Sequence, residues 1–137
     1  TILSQALNGN KIKIGNLNAT RDFLYVEDLC SAYVKVLRSK KLFGEVTNIG
    51  VDSEISIKNL IKKISKILGK KLIIIVENKR IRPKKSEVFR LKCNNSKIKK
   101  LTGWKPKYTI DKGLKEVISW ITKENNIEYY KHKNYNI

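Results

Sequence analysis

The stretch from Gly15 to Leu37 constrains the fold more than any other, because in it a polar loop runs directly into an amphipathic helix. It reads GNLNATRDFLYVEDLCSAYVKVL. Its second half spaces apolar residues as in a helix with one apolar face, namely Val26, Leu29, Cys30, Tyr33, Val34 and Leu37. Its first half presents Arg21 just before that helix. The arrangement suits a ligand-binding arginine, and it equally suits a surface ion pair of Arg21 and Asp22 that caps the helix.

The rest of the chain alternates between helical and extended patterns and so predicts an α/β fold. Helical periodicity is found over 1–8, 57–68, 96–101 and 110–121, and short β-rich runs over 11–14, 45–50 and 72–76. Ser56 is a candidate N-cap for the second of these helices. We expect one domain over residues 1–124 and a polar tail over 125–137, where Asn, Lys and Tyr are abundant.

The net charge of +18 raises the question of nucleic acid as a partner. The lysines, however, are scattered on the outer faces of predicted helices and are not interleaved with stacking aromatic residues. We therefore expect no nucleic-acid partner, although a basic nucleic-acid-binding module remains an alternative. No apolar run approaches the roughly 18 residues that cross a bilayer, so we expect a cytoplasmic protein without a membrane partner.

Few residues offer metal or nucleophile chemistry. Cys30 and Cys93 are isolated, and His132 is the single histidine. This composition argues against a metal site with paired ligands, a disulfide framework and a Ser-His-Asp arrangement. We predict no metal site and no catalytic residue in the chain.

The chain contains no methionine and starts at Thr1 in a helical pattern. We therefore expect it to be the carboxyl-terminal piece of a longer protein.

A basic loop over 79–87 follows the last predicted strand and contains Arg82 next to Pro83. Proline restricts the backbone there, and a guanidinium donates paired hydrogen bonds to phosphate oxygens. The loop is therefore a candidate phosphate-binding segment, with a solvated run of charges as the alternative.

Three segments, taken in order, resemble a known family. They are GNLNATRDFLYVEDL at 15–29, TNIG at 47–50, and RPKKSE followed by NSKIKKLTGWKP within 82–106. Together they resemble the carboxyl-terminal half of the extended short-chain dehydrogenase/reductases that act on nucleotide sugars. Among these, the chain looks most like a 4,6-dehydratase acting on GDP-mannose or on an N-acetylglucosamine nucleotide, with a 4-epimerase as the alternative.

The resemblance implies a fold and a set of site residues. The fold would be the α/β substrate-binding part of such an enzyme, with the Rossmann core missing. Arg21 and Arg82 would contact the nucleotide diphosphate from opposite sides, and Asn48 would lie near the nucleotide.

Further contacts are implied for the base and the ribose. Asn16 and Leu17 would border the base. Glu87 would accept hydrogen bonds from the ribose hydroxyls, although relatives often place this contact where the chain has Lys85. We choose Glu87 because only a carboxylate can accept from two hydroxyls.

The motifs that hold and use the cofactor are absent. The sequence contains neither a G-x-x-G-x-x-G loop nor a Y-x-x-x-K pair. The resemblance thus implies NAD or NADP in a longer parent, with none bound by this chain alone, which we expect to be inactive. It also implies three partners: a nucleotide sugar, the missing Rossmann domain, and a second copy of the parent in a homodimer.

Overall fold

The computed structural model of the chain describes residues 1–83, 85–123 and 126. In these residues the backbone forms two compact units. Unit 1 comprises Thr1–Ala19, Ser56–Phe89 and the described part of Leu114–Ile137, and unit 2 comprises Thr20–Ile55 and Arg90–Gly113. The predicted tail over 125–137 lies outside the described residues, apart from Asn126.

Five helices and five short strands are found in the described residues. In chain order they are α1 (Ile2–Asn8), β1 (Lys11–Ile14), β2 (Thr20–Arg21), α2 (Val26–Leu37), β3 (Ile55–Ser56), α3 (Ile57–Leu68), β4 (Ile73–Val76), β5 (Arg90–Leu91), α4 (Ser96–Thr102) and α5 (Ile110–Thr122). None of these helices is long and apolar enough to span a bilayer.

Unit 1 is built on the parallel pair of β1 and β4. Their register runs from Lys11 opposite Ile73 to Ile14 opposite Val76. A parallel pair needs a crossover, which α3 provides. The buried apolar side chains of this unit come from its helices, from β1 and from the residue before β2, and they are Ala6, Ile12, Ala19, Leu60, Ile61, Ile64, Leu114 and Ile121.

The boundaries of α3 follow from its terminal residues. The Ser56 hydroxyl accepts a hydrogen bond from the Asn59 amide at 3.2 Å, which confirms the predicted N-cap. Gly69 ends the helix in the left-handed region, with φ of 63°.

Unit 2 has a three-stranded sheet in the order β3-β2-β5 and a small helical core. Strands β2 and β5 are parallel, with Thr20 opposite Arg90 and Arg21 opposite Leu91. The core is formed by Ala32, Ile98 and Trp104, against which Leu24, Val36 and Ile49 pack.

Helix α2 does not bury most of its apolar stripe among the described residues. Its apolar stripe is largely exposed, with Val26, Tyr33, Val34 and Leu37 all between 46% and 75% exposed and Cys30 also exposed. The buried residues of α2 are Asp28 and Ala32, on another face. The reason is that Asp28 makes hydrogen bonds that draw its own side of the helix inward.

The predicted strand over 45–50 is also not formed, although all six residues are described. Side chains, and not a neighbouring strand, engage its carbonyls. Lys97 Nζ donates to the Val46 carbonyl at 2.7 Å, and Asn95 Nδ2 donates to the Gly50 carbonyl at 2.9 Å. Side chains therefore anchor the segment, and it forms no strand.

Asp28 connects α2 to the segment between α4 and α5. It is 1% exposed, and its two carboxylate oxygens accept from the backbone amides of Lys107 at 2.9 Å and Tyr108 at 3.0 Å. A buried carboxylate is tolerated when its oxygens accept hydrogen bonds. Nearby, Trp104 Nε1 donates to the Ser31 hydroxyl at 2.9 Å, so the same turn of α2 also fixes the core tryptophan.

We predict that Asp28→Ala lowers the free energy of unfolding by about 2–4 kcal/mol, because two backbone amides lose their acceptor in a buried place. Urea denaturation followed by circular dichroism measures this change. Glu116→Ala, which removes the same charge from an exposed position of α5, should change stability by no more than about 0.5 kcal/mol. Equal effects of the two substitutions would contradict the tethering role of Asp28.

Candidate functional site

The six site residues predicted from the sequence fall in both units. Arg21 and Asn48 belong to unit 2, and the other four belong to unit 1, namely Asn16, Leu17, Arg82 and Glu87. Asn48 and Arg82 are exposed, whereas the remaining four are partly buried. The structure therefore offers two sets of candidate contacts, one on each unit.

Arg21 lies on β2, the central strand of its sheet, directly opposite Leu91 of β5. Its Nη1 donates to the Thr20 carbonyl at 2.7 Å. The side chain of the next residue, Asp22, accepts hydrogen bonds from backbone amides. The central strand thus gives Arg21 a fixed backbone position.

Asp22 connects three separate segments of unit 2. Its Oδ1 accepts from the Val51 amide at 2.9 Å, and its Oδ2 accepts from the amides of Asp52 at 2.9 Å and Cys93 at 3.2 Å. Asp52 has a positive φ of 62°, a conformation that aspartate tolerates better than most residues. The carboxylate therefore fixes the turn after Asn48 relative to the strand that carries Arg21.

Gly50 and Cys93 meet at the same place. A Cβ added to Gly50 would lie 2.3 Å from the Cβ of Cys93 and 2.7 Å from its Sγ. Burial raises the pKa of the Cys93 thiol, and the negative charges of Asp22 and Asp52 raise it further. The raised pKa favours the neutral thiol, which packs against Gly50.

A polar network links β2 and β5 of the same sheet to Glu54, the residue before β3. The carboxylate of Glu54 accepts from the Thr20 hydroxyl at 2.7 Å and from Arg90 Nε at 2.6 Å. The Thr20 hydrogen bond and then the Arg90 hydrogen bond lower the pKa of Glu54. Next to it, Lys92 Nζ lies 3.0 Å from Asp52 Oδ1. The strand of Arg21 is thus held by side chains on both of its neighbouring segments.

In unit 1 the structure brings together two of the predicted segments. A Cβ at Gly15 would lie 2.1 Å from the Arg80 carbonyl oxygen, so only glycine allows this approach. Asn16 and Leu17 follow Gly15 directly, and Arg82 lies two residues beyond Arg80. The Lys58 amide donates to the Leu17 carbonyl at 3.0 Å, which ties this loop to the start of α3.

Asp22, Glu54 and Arg90 are the residues that sequence reasoning missed. Their partners are 29 to 71 residues away in the chain, as in the contact of Asp22 with Cys93. No local spacing signals such contacts. Among the described residues, no group of three or more His, Cys, Asp or Glu side chains could hold a metal ion.

The comparisons with known proteins agree with this architecture. The sequence profile described as GDP-mannose 4,6 dehydratase matches residues 1–117. Fold and profile define the class as the extended short-chain dehydrogenase/reductases that include NAD-dependent epimerases and dehydratases. Within that class, the chain belongs to the GDP-mannose 4,6 dehydratase family.

Individual relatives have different activities. GDP-6-deoxy-D-mannose reductase of Pseudomonas aeruginosa is 32% identical over 117 residues, which cover 85% of this chain and 38% of the reductase. The structure of dTDP-glucose 4,6-dehydratase from Bacillus anthracis in complex with NAD is 34% identical, with a TM-score of 0.74, and the match covers 91% of this chain and 39% of that one.

An epimerase is a further structural neighbour. UDP-glucuronic acid 4-epimerase from Bacillus cereus, in complex with UDP-glucuronic acid and NAD, is 29% identical with a TM-score of 0.79, and the match covers 89% of this chain and 38% of the epimerase. The chain thus spans about two fifths of the length of these relatives. The prediction of an α/β carboxyl-terminal part without the Rossmann core is confirmed.

We predict that Gly50→Ala destabilises the chain by about 1–3 kcal/mol, because the new methyl group overlaps Cys93. In a Cys93→Gly background the same substitution should cost less than half as much, since the overlapping atoms are gone. Urea denaturation of the four variants measures the coupling. Gly9→Ala is the control, because its added Cβ meets nothing closer than the Gln5 carbonyl at 4.0 Å. An equal cost of Gly50→Ala in both backgrounds would refute the contact.

Proposed function

We propose that the chain is the substrate-binding portion of a nucleotide-sugar 4,6-dehydratase acting on GDP-mannose or on an N-acetylglucosamine nucleotide. The observation that carries the proposal is the family match over residues 1–117, which includes the RD pair at 21–22 and the loop with Arg82. Membership of the family supports action on a nucleotide sugar, and the choice of 4,6-dehydration is our inference.

The proposed contacts follow from the chemistry of the side chains. Arg21 and Arg82 each offer a guanidinium, which can donate two parallel hydrogen bonds to phosphate oxygens of the diphosphate. Asn48 is exposed and carries both a donor and an acceptor for the nucleotide. The Asp22 carboxylate supports this arrangement, because it fixes the backbone beside Arg21 and the turn that follows Asn48.

Unit 1 supplies the remaining contacts in this proposal. Asn16 and Leu17 would border the base, from a loop whose position is set by the close approach of Gly15 to Arg80. Glu87 would accept hydrogen bonds from two ribose hydroxyls.

The residues of this chain do not fit a dinucleotide cofactor. Such a cofactor needs a glycine-rich loop that brings backbone amides to its pyrophosphate, and the sequence has none. In the longer parent, NAD(P) would supply the hydride acceptor and donor that makes the dehydration redox-neutral. We assign no chemical step to the residues of this chain, only binding and orientation of the nucleotide.

The exposed stripe of α2 supports the existence of further protein around this chain. Contiguous exposed apolar surface generally marks an interaction site. The relatives are more than twice as long as the chain, and we propose that the Rossmann domain of the parent covers this stripe. Dimerisation of the parent remains a proposal from the family resemblance.

A 4-epimerase is the second candidate, because a putative UDP-glucose 4-epimerase of Methanocaldococcus jannaschii is 34% identical over 119 residues. The distinguishing experiment uses the complete reading frame with its upstream residues. The protein is incubated with NAD+ and either GDP-mannose or UDP-N-acetylglucosamine, and the nucleotide sugar is weighed by mass spectrometry. A product lighter by one water supports the dehydratase. An unchanged mass with altered sugar stereochemistry supports the epimerase, and no reaction contradicts both.

We predict that Arg21→Ala and Arg82→Ala in the complete protein each weaken the binding of the matching nucleoside diphosphate by about tenfold or more, because each removes a charge-assisted hydrogen-bond donor. Isothermal titration calorimetry measures the dissociation constants. The control is Arg38→Ala, which removes an exposed arginine just after α2 and should change binding less than about twofold. If Arg38→Ala weakens binding as much as the other two substitutions, binding depends only on the overall positive charge, and the specific contacts of Arg21 and Arg82 are contradicted.

A further inference from the structure

Unit 1 contains a cleft that none of the six proposed nucleotide-sugar contacts lines. It measures about 380 Å³ and lies between the end of α1, the start of β1 and the segment that follows β4. This volume falls within the roughly 300–1,000 Å³ of small-molecule sites. The cleft is therefore large enough for a ligand of its own.

The walls of the cleft are strongly basic. Its cations are Lys11, Lys13, Lys79 and Arg80, and its one carboxylate is Glu77, so the ionised cleft carries a net charge of +3. Its other lining side chains are amides, and no apolar or aromatic side chain takes part. Such a surface offers hydrogen-bond donors and positive charge but no aromatic ring on which a base can stack.

Glu77 gathers three of these cations around one carboxylate. Arg80 Nε lies 2.7 Å from it, Lys13 Nζ 3.4 Å and Lys79 Nζ 3.9 Å. The hydrogen bond from Arg80 is the main cause that lowers the pKa of Glu77, so this carboxylate stays ionised well below neutral pH. Without it, like charges would move apart into solvent. Glu77 therefore keeps the donors clustered although the cleft remains net positive.

The backbone of the cleft is fixed before any ligand arrives. The buried Gln5 amide accepts from the Lys13 amide at 2.8 Å and donates to the Lys13 carbonyl at 3.2 Å. The Ile73 amide donates to the Asn10 carbonyl at 2.7 Å, and Gly15 holds the Arg80 backbone close to the end of β1. A preformed site loses little conformational freedom on binding.

We propose that this cleft is a second anion site, which binds a small oligophosphate such as pyrophosphate through Lys11, Lys13, Lys79 and Arg80. Oligophosphates match the site because they present several oxygen acceptors and multiple negative charges within a small volume. The cleft does not depend on the proposed nucleotide-sugar contacts, since the two share no residue.

The test is calorimetric titration of pyrophosphate into the full 137-residue chain at low, constant salt. We predict that Lys11→Gln/Lys79→Gln weakens binding by about tenfold, because two cations leave the cleft while the contact of Glu77 with Arg80 remains. The matched control, Lys62→Gln/Lys66→Gln, removes the same charge from exposed positions of α3 and should change binding less than about twofold. Circular dichroism verifies that each variant is folded.

A second measurement needs no variant of the cleft. In an NMR titration of the wild-type chain, pyrophosphate should shift the amide signals of residues 9–13 and 77–80 most strongly. The proposal is overturned if pyrophosphate does not bind, or if both double variants weaken its binding equally. It is also overturned if the largest amide shifts fall outside residues 9–13 and 77–80. If Arg21→Ala/Arg82→Ala is the only double variant that weakens pyrophosphate binding, the anion binds at the proposed nucleotide-sugar contacts. That result would overturn the cleft proposal alone. If pyrophosphate binds in the cleft but the longer parent protein binds no nucleotide sugar, the cleft proposal holds and the proposed function is wrong.

Discussion

The carboxylate of Asp22 is the interaction on which unit 2 depends most. It joins the end of β2 to the turn at Val51 and Asp52 and to the chain at Cys93. The strands of this sheet have two residues each and so form few backbone hydrogen bonds with one another. The Asp22 carboxylate, which accepts from three backbone amides, supplies the further hydrogen bonds that hold these segments together. Arg21 precedes this carboxylate directly, and its position follows from that anchor.

Most elements of the fold were predictable because their signals are local. The periodicity of α3, its cap at Ser56 and the glycine at its end lie within fourteen consecutive residues, and the predictions of the helix and of its cap are confirmed. The face of α2 that packs inside unit 2, with Asp28 and Ala32, was not predictable. Periodicity identifies an amphipathic helix, but it does not say which neighbour is present. In unit 2 the hydrogen bonds of Asp28 to residues 107 and 108 decide which face is buried.

In the candidate site, too, residues in local motifs could be predicted, whereas residues in long-range contacts could not. The family resemblance rests on consecutive motifs, so Arg21, Asn48 and Arg82 could be chosen from the sequence, and their roles remain predictions. The side chains that support the site could not be predicted, because each makes a hydrogen bond to a distant part of the chain. Glu54 accepts from Arg90, 36 residues away, and Asp22 accepts from the amide of Cys93, 71 residues away. The strand predicted over 45–50 is absent for a related reason, because the distant side chains of Asn95 and Lys97 donate hydrogen bonds to two of its carbonyl oxygens.

The path of the chain has a consequence for how it is made. The backbone passes from one unit to the other after residues 19, 55, 89 and 113. Strand β1 pairs with β4, whose residues lie 62 positions after their partners in β1, and Asp28 accepts from the amide of residue 108. Contacts of such separation slow folding. A ribosome therefore releases β1 and α2 long before β4 and residue 108 exist, so these two contacts cannot form early in synthesis.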